Sequence, residues 1–78
     1  MAKVRLEQAG ENWAVTIVQG GENAARAVWD DLDFAAYSAI SFAGTVGAGT
    51  PELGVGVPAD ALALGENLRK VFEAARVY

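Results

Sequence analysis

The stretch VPADALALGENLRKVFEAARVY, Val57 to Tyr78, decides how the chain is read, because it carries the clearest periodicity. Pro58 fixes φ where a helix can begin, and Asp60 adds negative charge at the positive end of that helix. Ala61, Leu64, Leu68, Val71, Phe72 and Ala75 fall within about 100° of one another at 3.6 residues per turn. Asp60, Glu66, Asn67, Arg69, Lys70 and Glu73 take the other side. Arg69, Lys70 and Arg76 lie toward the negative end, and Glu66 precedes Lys70 by one turn in the favourable order. The rest of the chain is therefore expected to form the surface that this helix covers. Gly65, at the edge of the stripe, would let the helix approach a sheet closely, at about 1 kcal/mol lost relative to Ala. Leu62 and Val77 fall off the stripe, which leaves them to solvent or to an interface.

Working back from the helix, residues 51–57 (Pro-Glu-Leu-Gly-Val-Gly-Val) read as a strand. Leu53, Val55 and Val57 share one face. Gly54 and Gly56 leave a bare strip of backbone on the other, suited to close approach by another element. Gly44 to Thr50 is a loop. At the N-terminal end Lys3, Arg5 and Glu7 alternate with Val4 and Leu6, the period-two pattern of a strand with one wet face. Gly10-Glu11-Asn12 marks a turn. Trp13 to Gln19 is apolar on both faces and β-branched, as in a more central strand, and pairs with the first as a hairpin.

Gln19-Gly20-Gly21-Glu22-Asn23 is the strongest turn signal, and two readings compete after it. As a helix, Ala25, Val28, Leu32, Ala35 and Ala39 line one face, but Trp29, Phe34 and Tyr37 scatter around the others. As strands, Ala25–Asp30 is a returning arm, Asp31–Ala36 a turn or short helical piece, and Tyr37–Ala43 a fourth strand. The strand reading uses the aromatics better. The expected fold is a single α+β domain over residues 1–78. It has a four- to five-stranded, mostly antiparallel sheet, with one C-terminal helix packed on a face.

Composition bounds function by exclusion. With 53% apolar residues, many of them Ala, a chain of 78 residues is expected to build a compact but shallow core, which a homodimer would complete. There is neither Cys nor His, so disulfides, thiolate metal sites, the commonest general base and the usual pH switch are absent. No apolar run reaches the roughly 18 residues needed to cross a membrane, and Met-Ala-Lys-Val-Arg-Leu-Glu lacks a signal-peptide core, so a cytoplasmic location is expected. Ten acidic against six basic residues give a net charge of −4, which disfavours nucleic acid and anionic membrane and suits a protein partner with a basic surface.

Asp30-Asp31-Leu32-Asp33, with Glu22 near it in sequence, is the densest acidic cluster. It reads either as a solvated turn in which one Asp caps a short helix, or as a negative surface for basic residues of a partner. Trp29 beside it could anchor such a contact. The run lacks the spaced oxygen ligands of a calcium loop, so no metal is expected. Gly44 to Thr50 has the glycine spacing of a phosphate-binding loop, but lacks its Lys and runs into Pro51-Glu52 rather than a helix. Ser38, Ser41, Thr16 and Thr45 have no His to activate them, and Lys3 and Lys70 occupy solvated contexts. No cofactor and no enzymatic activity are expected.

The small size, the absence of His and Cys, the acidic run Asp30–Asp33 and the strand-plus-helix build together resemble the small acidic inhibitors encoded by phages and mobile elements, anti-CRISPR proteins among them. The resemblance is one of composition and covers no aligned motif. It implies a stoichiometric inhibitor docking on a basic, nucleic-acid-handling protein. The competing expectation is a self-assembling structural or adaptor protein, phage or bacterial, that uses the glycine strip of residues 52–57 or an open sheet edge.

Overall fold

The computed structural model of the chain describes residues 2–76, so Val77 lies outside the described residues. Strands β1 (Ala2–Ala9) and β2 (Asn12–Gln19) form the expected hairpin, paired without a slip from Ala2↔Gln19 to Ala9↔Asn12. Alternation buries Val4 and Leu6 and turns Lys3, Arg5 and Glu7 outward. The chain reverses again at Gly20-Gly21, where φ is 63° and 83°. Two consecutive positive φ angles match the twist of the flanking strands, and glycine adopts them at least cost. Strand β3 (Glu22–Trp29) returns antiparallel to β2, with Trp29 opposite Trp13, Ala27 opposite Val15 and Ala25 opposite Ile17. The register shifts between Ile17 and Val18, leaving Ala24 as the extra residue of a bulge.

Helix α1 (Leu32–Val46) follows, then the two-residue strand β4 (Glu52–Leu53) and helix α2 (Ala61–Ala75). The sheet order is β3-β2-β1-β4, with β4 parallel to β1. The fold is thus α+β with a mixed four-stranded sheet and two helices. Residues 24–41 divide between the two readings of the sequence: strand up to Trp29, helix from Leu32. Tyr37–Ala43 is not a strand but the middle of α1. Only Glu52 and Leu53 of the expected fifth strand pair. The chain then leaves the sheet, with Val55 99% exposed.

The larger correction concerns the layers. The C-terminal helix does not lie on the sheet. Helix α1 does, and α2 packs on α1. Ala35, Ala36, Ala39 and Ala43 are all buried and join Val4, Leu6 and Val15 in one core. Helix α1 is therefore covered on two sides, with Phe42 against Trp29 on one (ring centroids 6.3 Å apart) and Tyr37 against Phe72 on the other (5.1 Å, edge-on). That is why its aromatics point in several directions, and why its period is hard to read: a helix buried on two sides lacks the single wet face that makes amphipathicity visible.

Asp31 caps the start of α1, its carboxylate accepting from the Asp33 N–H at 2.8 Å. At its end Gly47 takes a left-handed conformation and the Ala48 N–H donates to the Ala43 carbonyl at 2.8 Å. The two helices meet at Gly65. A Cβ there would lie 2.7 Å from the carbonyl carbon of Ala36 and 2.8 Å from the amide nitrogen of Tyr37. The close approach anticipated for Gly65 is real, but it is made to a helix.

Two outcomes test this packing by urea denaturation. Helix propensity alone would make Gly65→Ala stabilising by about 1 kcal/mol, yet overpacking against a backbone should make it destabilising by about 1–3 kcal/mol. Leu6→Ala, at a fully buried position, should cost about 2–5 kcal/mol, whereas Val71→Ala, at 61% exposure, should stay within about 0.5 kcal/mol of wild type.

Candidate protein-binding surface

The acidic residues divide by position. Asp30 is an exposed bend residue directly after β3, Asp31 is the cap of α1, and Asp33 is exposed in its first turn. Glu22 does not join them. It opens β3, and seven steps of about 3.3 Å put it roughly 23 Å from the other end of the strand. Sequence proximity misled because an extended strand separates residues that a turn would have gathered. Trp29 is half-buried and packs against the core and Phe42, so its ring is held within the domain. Among the described residues no group of three or more Asp and Glu is placed to hold a metal ion.

The element that joins these residues is β3 itself. It pairs with β2 on one side, and among the described residues no backbone hydrogen bond ties its other side to any segment. The opposite edge of the sheet is covered where β4 pairs with β1 and the Gly54 N–H donates to the Leu6 carbonyl at 2.8 Å. Strand β3 is small-sided and open: Glu22 to Arg26 are exposed and Val28 is 47% exposed. Unpaired edges of this length are usually blunted by Lys, Pro or bulges. Here the bulge at Ala24 affects one end, and Arg26 is the one charge between the ends.

Beside the edge lies a cleft of about 280 Å³ lined by Val15, Ile17, Ala25, Arg26, Ala27 and Phe42. It exists because Ala25 and Ala27 are too short to fill the space between β3 and Phe42. A strand added to β3 would carry its inward side chains beside this cleft. The sequence signal was available: a run Ala24-Ala25-Arg26-Ala27 on a strand leaves little side-chain bulk to close an edge.

Other surfaces offer less. A larger cleft of about 500 Å³ lies between the end of α1, the loop after it and α2. Its one charged lining residue, Arg69, is engaged by Glu66 at 3.3 Å and Glu73 at 3.1 Å. Leu62, assigned to solvent or an interface, is half-buried and lines it. Gly44 to Val46 complete α1, so this glycine-rich stretch presents helix carbonyls, the wrong polarity for a phosphate. The sheet face opposite α1 carries Lys3, Arg5 and Arg26 among Glu7 and Glu52, with Lys3 and Glu52 3.7 Å apart, the mixed charge of a solvated face. Among the described residues no helix is long and apolar enough to cross a membrane.

Asp31→Ala should lower stability by about 1 kcal/mol through loss of the cap, while Asp30→Ala should change it by less than about 0.5 kcal/mol; paired thermal melts distinguish them. No family model matches the chain, and neither a curated protein nor a solved structure shows significant similarity to it.

Proposed function

We propose that the chain is a non-enzymatic protein-binding module that takes an extended segment of a partner protein along the free edge of β3. The observation that carries this reading is the pairing of an unbonded strand edge with an apolar cleft directly beside it. In strand addition, backbone hydrogen bonds supply affinity and alternate side chains of the guest supply specificity. The cleft at Ala25 and Ala27 is placed to receive those alternate side chains. The acidic residues at either end of the strand suit a partner with basic surface. Stoichiometric occupancy of such a surface would make the chain an inhibitor of the protein it binds.

The experiment uses Ala25→Lys. Ala25 is exposed in the free domain, so the substitution should leave the thermal midpoint within a few degrees. A lysine facing the cleft should nevertheless block an added strand. Wild-type protein used as bait should capture a partner that also protects the β3 amides from hydrogen exchange, and Ala25→Lys should lose both effects. Equal capture by the two proteins, or protection confined to other elements, would refute the edge as the site.

A further inference from the structure

The two ends of the open edge carry like charge, and this selects its occupant. Glu22 stands at the first residue of β3, Asp30 directly follows its last, and Asp33 lies in the helical turn beyond. All three are exposed. From these placements, and resting on the reading of β3 as a docking edge, we propose that the guest is a strand of a different protein, apolar at alternate central positions and basic at both ends.

A second copy of this chain fits poorly. Pairing β3 antiparallel with itself in full overlap brings Glu22 of each copy beside the other's Trp29 and Asp30. It also sets each Arg26 opposite Ala25 of the other copy. A one-residue slip places Glu22 opposite Asp30 and Arg26 opposite Arg26. Like charges directly opposed across strands are destabilising, so the edge resists self-pairing in the slipped register, and in full overlap Glu22 gains no basic partner. A guest with Lys or Arg at each end meets acid at each end instead. In the middle, where Ala25 and Ala27 border the cleft, β-branched apolar side chains fit the space toward Ile17 and Phe42. Arg26 belongs to the other face of β3, opposite Thr16, so the guest's alternate residues there need only be polar.

The test compares two synthetic peptides by fluorescence polarisation, with hydrogen exchange of the β3 amides followed in parallel. One is Lys-Arg-Thr-Val-Thr-Val-Thr-Val-Arg-Lys, and its twin has Glu at the four terminal positions. The basic peptide should bind about tenfold or more tightly than the acidic one at about 0.05 M salt, and the ratio should shrink toward one at about 0.5 M. The triple variant Glu22→Gln, Asp30→Asn, Asp33→Asn, which keeps the Asp31 cap, should lose most of the preference while still binding both peptides. Ala25→Lys should bind neither. Equal binding of the two peptides to wild type would overturn the charge inference and leave the edge reading intact. Binding of neither, with β3 amides unprotected, would overturn the edge reading itself. A dimer in sedimentation velocity that Ala25→Lys dissociates would overturn the choice of a foreign guest in favour of a second copy.

Discussion

The contact between Gly65 and the Ala36–Tyr37 backbone sets the layer order on which everything else depends. With no side chain at 65, α2 comes close enough to α1 that their backbones nearly touch. Helix α1 is then held between α2 and the sheet, and its alanines are what both neighbours require. A larger residue at Ala36 or Gly65 would push the outer helix away. The half-buried Phe72 would then lose Phe34 and Tyr37, its partners on α1.

This arrangement makes an economical but thin core. The largest fully buried side chains are Leu6, Val4, Val15 and Thr16, and the other buried apolar positions are alanines and Pro51. Each buried alanine removes little area from water, so few side chains carry most of the hydrophobic stabilisation. Thr16 faces away from α1 and is covered by its neighbours on the sheet, its hydroxyl reaching Glu7 at 3.5 Å. The exposed ion pairs on α2 add little to this.

One helix on a four-stranded sheet cannot cover it evenly. Helix α1 sits over β1 and β2 and reaches β3 more lightly, while β4 closes the edge beyond β1. The incomplete coverage and the open edge therefore fall on the same strand. Its ends are acidic for separate local reasons: Glu22 follows a glycine turn, and the aspartates start a helix, where negative charge is favourable. The geometry turns these local choices into one surface with an apolar middle and two negative ends.

Much of the fold was legible wherever local chemistry acts alone. The alternation of Lys3 to Glu7, the double glycine at 20 and 21 and the Pro58–Asp60 helix start each reflect short-range sterics or one wet face, so their elements followed from the residues. The sequence also offered one aspartate of the Asp30–Asp33 run as a helix cap, and the structure gives that role to Asp31. What it left undecided was every feature set by packing on more than one side. Tyr37–Ala43 looked like a strand because a helix covered by both a sheet and a second helix loses the polar face that reveals its period. The stripe of α2 was plain, but nothing in it distinguishes a sheet from a helix as its partner, since both present apolar surface. Glu22 and Asp30–Asp33 looked like neighbours until β3 set them at opposite ends of an edge. Local propensity and charge belong to the sequence by itself. The layer order, the free edge and the cleft beside it belong to the tertiary structure, because each depends on which distant residues compete for the same surface.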